Sequence, residues 1–279
     1  MDIFAKTDLK FFTNMFTKKK ADISVVLNIW KRDYLREQLE ALSNQTIQPT
    51  QIWILHSENH IPKPSLLKNH SNIHYINSSL NLKYFWRFSI PRHIKNTYTW
   101  VLDDDIIPGK YWIEMCLEAS RKNNAIIAGN GRVIPCNNFF PEQIIDDDYW
   151  LKYFVGDCRS GQAHNFCPED TLVDFGCSSY FFKTAWLNHF WSIQPLTLET
   201  GEDMHLSATC SIRGGIRTVV PKQTSKQESS NIKPEYSGDA HASWKQNNFL
   251  TERSHVLKYL IKENNWKPML WQHEKIAAQ

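Results

Sequence analysis

Trp100-Val101-Leu102-Asp103-Asp104-Asp105-Ile106-Ile107-Pro108 is the stretch from which the rest of the chain can be read. The apolar run from Tyr98 to Leu102 has the length and side chains of a buried strand. It stops abruptly at three carboxylates. Adjacent acids repel one another and find no partner inside the run, so a packed core holds them only with compensation from elsewhere. A solvated acidic turn is one resolution. The carboxyl end of a strand in an α/β sheet is another, because there the acids face the crevice in which such sheets bind ligands. A hard divalent cation at that point would neutralise the triplet and could in turn hold a diphosphate.

Outward from this stretch the pattern alternates between strand and helix. Residues 23–28 (ISVVLN) read as a first strand. A helix follows with Tyr34, Leu35, Leu39 and Leu42 on one face. Residues 51–56 and 73–76 give two more strands, and strand–helix–strand within so short a span is a βαβ unit with parallel pairing. Residues 81–88 are expected to be helical and to lead into the acidic strand. Downstream come an amphipathic helix over 109–121, with Trp112, Met115, Cys116 and Ala119 inward, and strands over 125–134, 172–182 and 216–220. Gly201-Glu202-Asp203 opens a further helix, and residues 248–263 form a last one. The expected fold class is α/β: a single mixed, mainly parallel sheet flanked by helices. Residues 135–171 show little periodicity, as in a binding region or lid, and Asp146-Asp147-Asp148 within them reads as a solvated helix start. The Ser- and Lys-rich stretch 223–238 reads as a mobile loop that closes over a bound donor.

Composition narrows the function classes. A net charge of +3 on 279 residues makes no case for nucleic acid as partner. No apolar run approaches a membrane span. The six Cys, at 116, 136, 158, 167, 177 and 210, have no CxxC spacing, which suits reduced thiols in a cytoplasm better than a disulfide framework. The Phe11-Phe12 to Lys18-Lys19-Lys20 patch is apolar then basic. It reads as a solvated N-terminus, with peripheral contact to an anionic inner membrane face as the alternative.

Four segments, SVVLNIWKR, NQTIQPTQIWILH, VLDDDIIP and TGEDMHLS, together resemble GT-A-fold glycosyltransferases of the family 2 type over roughly residues 22–220. The segment RFSIPRHIKNTYTWVLDDD also resembles the exostosin-type transferases, which share the fold but retain anomeric configuration where family 2 enzymes invert it. The resemblance implies a Rossmann-like GT-A domain over 21–246, with a nucleotide-sugar half near 21–110 and an acceptor half near 111–246. Residues 1–20 would be an extension and 247–279 a helical tail. It implies Mn2+ or Mg2+ on Asp105 and Asp103, with Asp103 also toward the ribose and Asp104 in support. His241, in GDAHASW, would be an extra metal ligand. Donor contacts would come from Arg87, from Lys31 or Arg32, and from Glu58, which stands where many members carry a base-binding Asp. Asp203 would be the base that deprotonates the acceptor hydroxyl, with Glu202 orienting acceptor or loop. Asp174 and Gly176 would lie on the acceptor side. The partners implied are a nucleotide-sugar donor, a UDP-sugar foremost, and a glycan or glycolipid acceptor.

Independently of the resemblance, a nucleotide-diphosphate leaving group needs positive charge, and a transferred hydroxyl needs a base. Acids at a helix N-terminus also have a plain structural use, since the helix dipole favours them. Two other classes fit less well. A sugar nucleotidyltransferase should carry a Gly-rich phosphate loop after the first strand, and residues 28–34 contain no Gly. A non-catalytic carbohydrate-binding protein would not need both the triplet and the Glu-Asp pair.

Overall fold

Strand character in the sequence resolves into β1 (Lys19–Ile29), β2 (Ile47–Ser57), β3 (Ile73–Ser78), β4 (Tyr98–Leu102), β5 (Ile126–Arg132), β6 (Phe154–Val155), β7 (Thr171–Val173), β8 (Phe175–Lys183) and β9 (Thr218–Val220). The computed structural model describes residues 19–60, 71–135, 153–158 and 161–270. Within them the strands form one sheet in the order β3-β2-β1-β4-β8-β5-β9-β7, with β6 paired to β5. β1 to β4 are parallel, and β5 and β9 run the same way; β6, β7 and β8 run against them. This is the mixed, mainly parallel sheet expected.

Both faces of the central strands are covered, as parallel pairing requires. Val25, Leu27, Trp100 and Leu102 pack on one side, against α1 (Leu35–Asn44) and α3 (Trp112–Asn123). Val26, Leu55 and Val101 pack on the other, with Phe88 of the one-turn α2 (Trp86–Ser89) and Phe190 of α4 (Leu187–Phe190). Leu35, Leu39 and Leu42 of α1 fall on one face by their spacing and are buried, each worth about 1.5–3 kcal/mol. The remaining helices are α5 (Glu202–Gly214) and α6 (Phe249–Lys258), the latter running on into a π turn at Tyr259–Glu263. Met204 and Ala208 of α5 share a cluster with Val256, Leu257, Leu260 and Trp266, so the C-terminal segment packs on the helix that carries the Glu-Asp pair.

Four details differ from the sequence reading. β1 begins at Lys19, pairing with Ile47, so the end of the basic patch is strand. Residues 81–85 are not helical: the Asn81 side chain accepts the Lys83 N–H at 2.9 Å, and Lys83 takes φ 58°, a turn that postpones the helix to Trp86. The run 172–182 breaks at Asp174 into two strands with different partners. The polar stretch after residue 222 is not a loose loop at its start. Gln223, Ser229, Ser230 and Asn231 are buried, because their polar groups are used: Gln223 Nε2 and Ser230 Oγ both donate to Gly129 O, at 2.8 and 3.0 Å. Asp146 to Asp148, most of the N-terminal patch and Cys136 lie outside the described residues; the five described cysteines are free thiols. Among the described residues no helix is long and apolar enough to cross a membrane.

Candidate active site

The acid triplet sits where β4 ends in the middle of the sheet. Asp103 N donates to Ser178 O of β8 at 3.0 Å, carrying strand geometry one residue past Leu102. Gln38, buried on α1, donates through Nε2 to Asp103 O at 2.7 Å and Ile106 O at 3.2 Å, and so fixes the turn from inside. Beyond the turn Gly109 runs so close to residues 226–227 that a Cβ there would lie 2.6 Å from Gln227 O. The triplet therefore stands on rigid backbone.

Three arginines from three parts of the chain answer it. Arg32 Nη1 lies 2.6 Å from Asp104 Oδ1 and 3.4 Å from Asp105 Oδ2, while its Nε and Nη2 form a fork on Asp239 at 2.7 and 2.8 Å. Of the pair Lys31 and Arg32, Arg32 reaches the triplet, whereas Lys31 is exposed at φ 60°, with its ammonium 4.2 Å over the Trp30 ring. Arg87 is 2% exposed and bridges the two ends of the site, Nη1 to Asp103 Oδ1 and Nη2 to Glu202 Oε1 at 2.6 Å. That placement commits both of its terminal nitrogens to carboxylates and leaves Nε buried with no hydrogen-bond partner among the described residues. Arg87 therefore joins the acid triplet to the Glu-Asp pair of α5.

α5 delivers the second acid pair. Gly201 precedes it with φ 81°, and a Cβ there would lie 2.8 Å from Val256 Cγ1, so only glycine lets α6 pack this close. Glu202 and Asp203 then occupy the first turn, where the helix dipole favours negative charge. Asp203 is 5% exposed and receives a fork from Arg253 of α6: Nη1 to Oδ1 at 3.0 Å and Nη2 to Oδ2 at 2.7 Å. Oδ1 also accepts the Met204 N–H at 2.7 Å.

Charge in this site does not balance. Asp103, Asp104, Asp105, Glu202, Asp203 and Asp239 share Arg32, Arg87 and Arg253. The surplus shows at Asp105, pushed up to about 7 by burial and then by Asp104 and Asp103, against Arg32 and a backbone hydrogen bond. Glu202 is likewise pushed up to about 7 by burial, against the pull of Arg87. Asp239 goes the other way, to about 2, through its hydrogen bonds from Arg32. Asp103 keeps the most exposed carboxylate of the triplet, at 28%. Oxygen donors with excess negative charge and an open side suit a hard divalent cation, so Asp105 and Asp103 fit the implied metal. Among the described residues no three His, Cys, Asp or Glu side chains converge as a closed metal cage, so two carboxylates would leave the remaining positions to diphosphate and water.

The other expected residues are spread more widely. His241 is exposed; its main-chain N–H donates to Asp239 Oδ1 at 2.9 Å, which places it beside the Arg32–Asp239 fork. Glu58 follows β2 at φ 63° and accepts the Trp30 indole N–H at 2.6 Å. Asp174 and Gly176 are buried structurally. Asp174 accepts Ile134 N at 2.6 Å and Met269 N at 2.7 Å, and Gly176 lies where any Cβ would strike Ala128. These contacts tie Asp174 to residue 134 and to the C-terminal segment, and Gly176 to β5.

Sequence reasoning missed Arg253 and Asp239, which pair across 50 and 207 residues and carry no local signal. It also missed the chain Tyr75–His56–His60, which runs from Tyr75 Oη to His56 Nδ1 (2.5 Å), from His56 Nε2 to His60 Nδ1 (3.0 Å), and from His60 Nε2 to Arg32 O (3.1 Å), bracing the first loop. No curated protein matches the chain closely enough to count as a relative. The profile of Glycosyl transferase family 2 matches residues 24–186, more than half of the chain and the part that holds the acid triplet and Arg87. With a GT-A-type sheet presenting its acids at the carboxyl end of a central strand, the chain belongs to glycosyltransferase family 2.

Proposed function

We propose that this chain is a metal-dependent, inverting glycosyltransferase that moves a hexosyl or N-acetylhexosaminyl group from a nucleotide sugar, a UDP-sugar foremost, to a hydroxyl of a glycan or glycolipid. The cytoplasm, within reach of a membrane face, is the location this reading assigns, and polysaccharide synthesis the setting. One observation carries it: a surplus of buried carboxylate at the end of β4 faces a second acid pair at the start of α5, with Arg87 spanning the two.

Asp105 and Asp103 would hold Mn2+ or Mg2+, which would supply positive charge to offset that of a diphosphate leaving group. Arg32, anchored by Asp239, stands at the rim of the triplet and can turn a guanidinium edge to the same phosphates. Gln38 and the Arg87 bridge keep the donor-side acids in place. Asp203 takes the proton of the acceptor hydroxyl, and that oxygen forms the new bond to the anomeric carbon. The bond to the diphosphate breaks with its electron pair leaving on the phosphate oxygen, so the anomeric configuration inverts.

A second reading makes Glu202 the base, favoured by its position near neutral pH, where proton transfer is most effective. The test is nucleotide release from a panel of UDP-, GDP- and dTDP-sugars, with Mn2+ and with chelator, in the wild type, Asp203→Asn and Glu202→Gln. Release that needs Mn2+ and falls about a hundred- to ten-thousand-fold in Asp203→Asn supports the proposal. Full release in excess chelator discards the metal. A larger loss in Glu202→Gln than in Asp203→Asn assigns the base to Glu202, and a product that keeps the donor's configuration discards inversion.

A further inference from the structure

Asp203 cannot be oriented by its own helix alone, because a carboxylate at the first turn is free to rotate unless something grips both oxygens. The grip comes from outside the region matched by the family profile. Arg253 rises from α6 and meets both oxygens of Asp203, at 3.0 and 2.7 Å. Its guanidinium carbon lies 5.4 Å from the Phe175 ring centre and 5.1 Å from that of Phe249, and the residue is 6% exposed. Rings on two elements thus hold the fork in one plane. The oxygens of Asp203 are not equivalent: Oδ1 accepts from Arg253 and from Met204 N, while Oδ2, among the described residues, accepts from Arg253 alone. A carboxylate oxygen offers about two lone pairs, so Oδ1 is filled and Oδ2 keeps one.

We infer that Arg253 is a positioning residue for glycosyl transfer, turning the single vacant lone pair of Asp203 Oδ2 toward the acceptor hydroxyl. This rests on the reading of Asp203 as base. It makes the C-terminal helix part of the catalytic apparatus. Burial of the pair leaves Asp203 one direction in which to receive a proton, and α6 sets that direction. The same fork holds an anion beside Glu202 and Asp103, whose charges would otherwise push it away.

The experiment measures kcat and donor KM, with the nucleotide sugar that the panel selects, in Arg253→Lys, Arg253→Ala, Asp203→Asn and the double variant Asp203→Asn/Arg253→Ala. Folding is checked by Mn2+-dependent nucleotide binding. Arg253→Ala should lose at least tenfold in kcat with donor KM within about twofold, because the donor is held by the other half of the site. Dilute guanidinium should restore part of that loss. Arg253→Lys, which keeps charge but not the fork, should fall between Arg253→Ala and wild type. The double variant should be no slower than Asp203→Asn, since a positioning residue has nothing left to position. Arg253 losses that multiply with those of Asp203→Asn, or a normal kcat in Arg253→Ala while Asp203→Asn is inactive, overturn the inference and leave the base intact. Near-normal kcat in Asp203→Asn removes the base, and the inference with it. Should Arg253→Ala not fold, Arg253→Lys carries the test, and a kcat equal to wild type then overturns it.

Discussion

Replacing Arg87 by Met keeps the volume of its stem and removes a guanidinium that two carboxylates share. Breaking a buried ion pair from one side typically costs about 3–5 kcal/mol, because the partner is left charged and unpaired. Here the two partners do not count equally. Glu202, whose side chain is 7% exposed, loses its main counter-charge in a dry site, whereas Asp103, at 28%, recovers part of the loss from water. The expected destabilisation is therefore about 3–4 kcal/mol at pH 8, a fall in melting temperature of order 10 °C for a chain this long. Its pH dependence has a definite sign. Glu202 already sits near 7 with Arg87 present, so without it the carboxyl holds its proton to higher pH. At pH 6 it is then neutral and the penalty relaxes; at pH 8 more of it remains. Thermal melting of wild type and Arg87→Met at both pH values, in chelator and without nucleotide, reads this directly. A variant that melts like wild type but binds nucleotide poorly would refute the bridge and return Arg87 to the role of phosphate contact.

Asp105→Asn should uncouple stability from function: it relieves the most crowded carboxylate, so melting should hold or rise by about 1 kcal/mol equivalent, while Mn2+-dependent nucleotide release collapses. A clear loss of stability in this variant, or retained release, would count against the charge surplus. Asp174 is raised by burial to about 6 from 3.8, so it adds stability that is fully present below pH 3.8 and lost as pH rises through about 6. The wild type should therefore lose up to about 3 kcal/mol from this group across that window, and denaturation of Asp174→Asn should lack that component. Ser230→Ala should cost about 1–3 kcal/mol by taking the acceptor from the buried Asn165 Nδ2 and one of two donors from Gly129 O, and limited proteolysis should not cut between Gln223 and Asn231.

How far the sequence could be read depended on whether the cause was local. The strand before Asp103 is a run of apolar residues with sheet on both sides, and β4 falls on Tyr98–Leu102 as the periodicity predicts. The start of α5 was equally legible, because glycine followed by two acids is a helix-entry signal whatever surrounds it. Arg87 illustrates the limit. The family resemblance marked it as part of the site, but only the fold brings Glu202 to its second nitrogen from 115 residues away. The Ser-rich stretch after Gln223 failed for a related reason: hydroxyl and amide side chains predict a solvated loop unless tertiary partners such as Gly129 O and Asn165 O are waiting for them. Asp174 and Gly176 were placed near an acceptor by likeness alone, while the steric contact with Ala128 and the two amides on Asp174 are facts of packing.

The three arginines give the site its order of assembly. Each joins carboxylates that are distant in the chain: Arg32 ties the first loop to the triplet and to Asp239, Arg87 ties the triplet to α5, and Arg253 ties α5 to α6. With any one link missing, at least one acid is left facing others in a low-dielectric pocket, where repulsion is far stronger than in water. Charge therefore makes the first loop, α5 and α6 mutually dependent, in addition to the apolar cluster that packs α6 on α5. On the proposed function a cation at Asp105 would work in the same sense, since it would remove repulsion that the arginines leave behind. The arginines hold the acids in place, and the surplus that remains is what a cation with its diphosphate would offset. A fourth arginine at Asp105 would remove part of that surplus, and with it part of the reason for an ion to bind.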